Sequence, residues 1–212
     1  MIFNDRKQAG GLLAKKLTKY KDQKETLILA IPRGALEIGY ELHKALNLPL
    51  DVVITKKIGD PYNKEFAIGA VNSDGQVVLD EGTVERLGIS ETYIERQTTK
   101  ITKAIKDKLR LLRNTEHGVD VKDKTIIVTD DGLATGFTML AAVKYLKSNG
   151  AKKIIVAVPV GHPETIARLK KIADEVTVFL IPEALGAISV FYYNFPQVTD
   201  EEAKSFLDRA KN

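Results

Sequence analysis

The 212 residues carry 44% hydrophobic and 28% charged side chains, enough apolar material for one globular domain and too little polar bias for extended disorder. A net charge of +4 and a pI of about 9.0 suit an anionic ligand without singling out nucleic acid, which is not the expected partner. Cysteine is absent, which excludes disulfides and thiolate metal sites. No apolar run reaches the roughly 20 residues that span a bilayer, and the first residues lack an apolar signal core. A soluble, cytoplasmic protein without membrane contact is expected.

In chain order, Ala9, Leu12, Leu13, Leu17 and Tyr20 recur at helical spacing and predict an amphipathic helix over residues 5–20. Residues 26–31 are a continuous apolar run stopped by Pro32 and Gly34, as in a buried strand. Leu36, Gly39, Leu42 and Leu46 give helical periodicity over 35–46, and a second strand is predicted over 50–55. Residues 56–64 read as a lysine-rich loop broken by Gly59, Pro61 and Asn63. Residues 66–71 and 76–79 read as a hairpin around Asn72-Ser73-Asp74-Gly75.

A helical insertion is expected at about residues 81–115. Its long helix, over 90–113, has an apolar stripe of Ile94, Ile101, Ile105, Leu109 and Leu112. Its other surface is basic, through Arg96, Lys100, Lys103, Lys106, Arg110 and Arg113, and the plain reading is a solvated helix packed on the core. A strand over 125–129 and a helix over 138–148, closed by Asn149-Gly150, follow. Then come a strand over 153–158, a helix over 163–173 and a strand over 176–181. Residues 182–198 lack periodicity and carry Phe191, Tyr192, Tyr193 and Phe195, which suits a hood over the sheet edge. Thr199-Asp200-Glu201-Glu202 opens a final helix with capping-box spacing.

Apolar strands alternating with helices indicate an α/β fold, a doubly wound parallel sheet covered on both faces, in a single domain over 1–212. In such a sheet ligands bind beyond the carboxyl ends of the strands. The most informative strand end is Thr129-Asp130-Asp131-Gly132-Leu133-Ala134-Thr135-Gly136-Phe137-Thr138. An apolar strand delivers two adjacent carboxylates, and a loop with Gly132 and Gly136 then turns into a helix. Such a loop presents backbone N–H groups and the helix's positive end to an anion. Thr135 and Thr138 add hydroxyls. The loop suits a terminal phosphate, with the acidic pair placed for ribose hydroxyls and hydrated Mg²⁺. A Walker-type loop and a dinucleotide fingerprint both fail on spacing. His43, His117 and His162 are scattered, so no histidine metal site is expected.

This run resembles the ribose-phosphate loop of the type I phosphoribosyltransferases. Asp130 and Asp131 match the family's acidic pair, and Gly132, Leu133, Ala134, Thr135, Gly136, Phe137 and Thr138 match its 5′-phosphate cradle. Ile31-Pro32-Arg33-Gly34-Ala35 resembles its pyrophosphate loop. Lys56, Lys57 and the residues to Lys64-Glu65 resemble a mobile loop that closes over the site. The likeness extends from Phe3-Asn4-Asp5-Arg6 to Asp200-Glu201-Glu202 and is nearest to bacterial and archaeal proteins described only as predicted phosphoribosyltransferases.

The resemblance implies an enzyme, a pentosyltransferase of nucleotide metabolism that uses phosphoribosyl pyrophosphate, Mg²⁺ and a base and forms a homodimer. In it Asp130, Asp131, Arg33, Lys56 and Lys57 act on the reacting groups, and Asp130 and Asp131 serve the metal. The acceptor candidates in or beside the hood are Phe179, Ile181, Phe191, Tyr192 and Tyr193, since aromatic faces stack on planar rings; packing of the hood on the sheet or a dimer contact is the competing role for each. Ala134 departs from relatives acting on 6-oxopurines, which carry an acid there, and disfavours that acceptor class. The alternative function is a non-catalytic sensor of phosphoribosyl pyrophosphate or a nucleotide. A synthase that makes the donor from ATP is disfavoured, since this chain is short for the two-domain form.

Overall fold

The computed structural model describes residues 2–64, 66–183 and 186–211. The chain begins with α1 (Arg6–Lys16), capped by Asp5, whose carboxylate accepts from the Gln8 amide at 2.7 Å. It continues through β1 (Thr26–Ala30), α2 (Ala35–Leu46) and β2 (Leu50–Val52). It then builds β3 (Thr55–Gly59), β4 (Ala67–Asn72), β5 (Val77–Leu79), α3 (Glu81–Arg86) and α4 (Glu91–Arg113). It returns with β6 (Thr125–Thr129), α5 (Phe137–Ser148), β7 (Lys153–Val160), α6 (Pro163–Leu169), β8 (Glu175–Leu180) and α7 (Asp200–Arg209).

Five strands form one parallel sheet in the order β2-β1-β6-β7-β8. Alternation of side chains sends Ile28, Ala30, Ile127 and Ile155 to one face, where α1, α2, α4 and α7 supply apolar partners. Leu27, Leu29, Ile126, Val128 and Val156 face the other side, against Met139, Leu140, Val143 and Leu146 of α5. Both faces are buried, which is why the strands read as unbroken apolar runs. The chain steps from β1 outward to β2, then crosses back to β6 on β1's other side. The carboxyl ends of β1 and β6 therefore diverge at the switch point where such sheets bind ligands. They are tied there by the Ile31 amide donating to Thr129 O at 3.0 Å.

The predicted strand over 50–55 is two strands. β2 ends at Val52, and Thr55 opens β3 in a separate antiparallel sheet, β3-β4-β5. Lys56 and Lys57 are not in a loop: they pair with Val71 and Ala70. Apolar β4 recruits them by backbone pairing while their side chains stay exposed, and burial falls on Thr55 and Ile58 instead of alternating. The predicted helix over 163–173 stops at Leu169.

The long helix of the insertion is α4, capped by Ser90, whose hydroxyl accepts from the Tyr93 amide at 3.3 Å. Its stripe serves two cores. Ile94 packs with Ile58, Ile68 and Val71 of the small sheet, Ile105, Leu109 and Leu112 enter the main core, and Ile101 touches both. Arg96, Lys100, Lys103, Lys106 and Arg110 stay exposed, as a solvated helix requires. The hood is closed by the N-terminal segment: Phe3 donates its amide to Phe191 O and accepts from the Tyr193 amide, both at 2.8 Å. Among the described residues no helix is long and apolar enough to cross a membrane.

Ile127 is fully buried at the centre of the sheet. Ile127→Ala should cost about 2–5 kcal/mol, the loss for truncating a core isoleucine, read as a thermal midpoint several degrees lower. A midpoint within about 1 °C of the parent would contradict the burial of Ile127 in the core.

Candidate active site at the sheet switch point

Asp130 and Asp131 follow β6 directly, and Asp130 Oδ1 accepts from the Asp131 amide at 2.8 Å. Arg6 of α1 approaches Asp131 from across the chain, with Nε and Nη2 each 3.1 Å from Oδ2. Its Nη1 donates to Pro196 O at 2.8 Å, and its guanidinium lies 3.7 Å from the centroid of the Phe195 ring. Tyr192 donates its hydroxyl to Asp131 O at 2.6 Å. The Arg6 side chain is 5% exposed and that of Asp131 21%, so the pair is largely shielded.

Gly34, on the loop after β1, has an ordinary helical conformation (φ −56°, ψ −37°). What demands glycine there is space rather than backbone freedom. A Cβ would collide with Asp131 Oδ2 and stand 2.8 Å from Arg6 Nε. The loops after β1 and β6 are therefore packed against each other through the ion pair.

Among the described residues Asp130 forms no ion pair. Burial, reinforced by the neighbouring charge of Asp131, pushes its carboxyl well above the usual carboxylate range. Burial, with Asp131 as a further cause, also raises the Tyr192 hydroxyl. Two acids of which one is neutralised and one is not suit a hard cation. Mg²⁺ takes one or two carboxylates and completes its shell with water and substrate phosphate oxygens. Among the described residues no group of three or more histidine, aspartate or glutamate side chains could hold a metal ion.

The loop after the acids divides by role. Gly136 caps α5 in the left-handed region (φ +73°), where a Cβ would also strike Thr165 Cγ2. Thr165 donates its hydroxyl to Ala134 O at 2.6 Å, bracing the turn. Ala134 and Thr135 are exposed, and Thr138 is partly so. The first amides of α5 have no intrahelical acceptor, which leaves them for an anion. Two expected cradle residues act otherwise. The Leu133 amide is spent on Val160 O at 2.9 Å and its side chain is buried in the sheet core. Phe137 packs with Ala70 and Ala141, fastening α5 to the small sheet. Leu133 shapes the loop without offering these groups to a ligand, whereas Phe137 also lines a cavity of about 420 Å³ with Ala134, Thr135 and Thr165.

The other candidates lie around this centre. Arg33 is exposed and pairs with Asp200 at 3.2 Å. Lys56 and Lys57 line a cleft of about 470 Å³ with Lys64, Tyr93, Arg96 and Lys100, which no residue of 129–138 enters. The structure groups these lysines with α4, not with the acidic pair; Glu65 lies outside the described residues. Phe179 packs on Phe3, ring centroids 5.8 Å apart, and Phe191 joins the same hood cluster. Tyr192 is buried, whereas Ile181 and Tyr193 are 54% and 91% exposed. Arg6 lies in the stretch that carries the resemblance, but no site role is expected of it. The available signal is a cation in the first turn of a helix, where the macrodipole disfavours it, which points to a partner elsewhere.

A model of the phosphoribosyl transferase domain matches residues 2–194. A Mycobacterium tuberculosis protein with the provisional name phosphoribosyl transferase is 33% identical over 209 residues, 99% of this chain and 47% of that protein. The crystal structure of TT1426 from Thermus thermophilus superposes with a TM-score of 0.80 at 34% identity, covering 98% of each chain. A ribose-phosphate pyrophosphokinase of Pyrococcus furiosus is 27% identical over 145 residues, 66% of this chain and 49% of that enzyme. The chain belongs to the phosphoribosyl transferase family. It spans about half the length of the curated relatives it matches.

Arg6→Met should destabilise the protein by about 2–3 kcal/mol in urea titration. This is the cost of leaving a shielded carboxylate unpaired, reduced for the partial exposure of Asp131. Adding Asp131→Asn should recover part of the loss. A single-mutant effect below about 0.5 kcal/mol would show that the pair is not an anchor.

Proposed function

We propose that the chain transfers 5-phosphoribose from phosphoribosyl pyrophosphate to a nitrogen acceptor, a nucleobase, and releases pyrophosphate. The observation that carries this reading is the acidic pair and the α5 anion site on one loop, packed through Gly34 against the Arg33 loop. The spacing suits a ligand that has a phosphate at one end, a diol in the middle and a diphosphate at the other.

In this reading the α5 amides with the hydroxyls of Thr135 and Thr138 bind the 5′-phosphate. Asp130 and Asp131 orient the ribose hydroxyls, and Arg6 fixes the position of Asp131. Arg33 and the amides after it take the diphosphate, with charge-assisted hydrogen bonds that strengthen as the leaving group gains charge. The bond from the anomeric carbon to the diphosphate oxygen breaks, its electron pair leaving with that oxygen, and the acceptor nitrogen forms the new bond and gives up its proton to solvent. The ring is oxocarbenium-like in between, and the two carboxylates stabilise that positive charge. Asp130 and Asp131 would hold Mg²⁺, which would supply charge neutralisation for the leaving pyrophosphate. Ala134 has no proton to exchange, which favours an acceptor that needs no acid at that position. Leaving-group charge is assigned to Arg33 rather than to Lys56 or Lys57, which line the cleft beside α4.

A second reading, a non-catalytic sensor of the donor or a nucleotide, is favoured by the basic cleft of Lys56, Lys57, Lys64, Arg96 and Lys100. The two separate on turnover. With phosphoribosyl pyrophosphate, Mg²⁺ and a panel of purine and pyrimidine bases, at least one base should drive saturable pyrophosphate release. Asp131→Asn should lower that release by about a hundredfold or more, the scale of losing a preorganised electrostatic group. Tight donor binding with no release from any base would favour the sensor. Arg33→Ala should weaken binding of pyrophosphate more than of ribose 5-phosphate; equal losses would remove Arg33 from the pyrophosphate loop.

A further inference from the structure

Arg33 shares its anionic partner. Asp200 Oδ1 lies 3.2 Å from Arg33 Nη1, and the same oxygen pairs with Lys108 Nζ. Asp200 is the first residue of α7, just after the Thr199 cap, so its carboxylate also sits at the positive end of that helix. Lys108, with Arg33 contributing, holds the Asp200 carboxyl below its ordinary range. Lys108 belongs to α4 between Ile105, Leu109 and Leu112, which already bury that stretch of the helix in the main core. Its side chain is 19% exposed, against 42% for Arg33, and a lysine so shielded needs a partner.

One carboxylate oxygen thus gathers a guanidinium and an ammonium at the mouth of the loop after β1. A diphosphate would make the same demand on that place: an anionic oxygen met by an arginine fork and a lysine point charge. We propose that Lys108 is a further donor-binding residue and that Asp200 stands on Arg33 and Lys108 in place of a diphosphate oxygen until the donor displaces it. Asp200 is then a positioning residue. It keeps both cations at the loop in the free protein, and it competes with the leaving group for them. The insertion helix α4 contributes to the donor site through Lys108. The proposal rests on the reading of residues 31–35 as the pyrophosphate loop.

The test is calorimetric titration of the whole chain with inorganic pyrophosphate, and separately with ribose 5-phosphate, in the presence of Mg²⁺. Removing a partly exposed competing anion should tighten pyrophosphate binding about three- to tenfold in Asp200→Asn, with ribose 5-phosphate unchanged. Lys108→Met should weaken pyrophosphate by a similar factor, and Lys108→Arg should restore it. Asp200→Ser, which keeps a polar side chain in the first turn of α7, replaces Asp200→Asn if that variant does not fold. Unchanged or weaker pyrophosphate binding in the Asp200 variants overturns the competition, and unchanged binding in Lys108→Met removes Lys108 from the site. If the parent protein binds neither pyrophosphate nor phosphoribosyl pyrophosphate, the reading of the loop fails, and this proposal with it. Parent binding without the Asp200 effect sinks only the proposal.

Discussion

Arg6 reaches from the first turn of α1 to Asp131 Oδ2 with two nitrogens at 3.1 Å, donates to Pro196 with a third and stacks on Phe195. An arginine in this position has few alternatives. It is shielded from water, it sits at the wrong end of a helix for its charge, and its fork is filled by one carboxylate and one carbonyl. That one side chain touches the acidic loop after β6 and the hood from the N-terminal helix, and Gly34 brings the loop after β1 into the same contact. The electrostatic result is an asymmetric pair of acids. Asp131 is paired with Arg6; among the described residues Asp130 has no ion pair, and burial with the neighbouring charge of Asp131 raises its carboxyl.

The rest of the architecture serves to make that junction rigid. Parallel pairing brings Ala30 beside Thr129, so the two loops leave the sheet at the same level. Their helices depart on opposite faces, α2 into one core and α5 into the other. The small antiparallel sheet is not a free appendage. Phe137 fastens it to α5, and α4 spans from it to the main core. The insertion thereby comes within reach of the loop after β1, through Lys108 and Asp200.

Much of this was legible in the chain because it depends on local chemistry. Helix 35–46 and strand 125–129 are observed with those limits, and the Thr199 capping box forms as its spacing implies. The acidic loop stands out because two carboxylates at the end of an apolar strand have no packing purpose. What stayed hidden depends on distance or on the second dimension of a sheet. Lys56 and Lys57 obscure β3, since backbone pairing with β4 tolerates exposed lysines that break the alternation. The roles of Arg6 and Asp200 require partners 125 and 167 residues away. Gly34 is readable as a needed glycine, but its reason is steric contact with Asp131, which only the fold creates. Leu133 and Phe137 lie inside the motif yet point into cores, because a loop between a buried strand and a buried helix must anchor itself at both ends.

The most direct measurement is the thermal unfolding midpoint with and without phosphoribosyl pyrophosphate and Mg²⁺. A ligand at 100 times its dissociation constant adds about 2.7 kcal/mol, which for a chain of this length raises the midpoint by about 5–10 °C. A rise of that size that requires both the donor and an intact Asp131 is expected. No rise at saturating donor, or an equal rise in Asp131→Asn, would mean that the junction of the two loops does not bind this ligand.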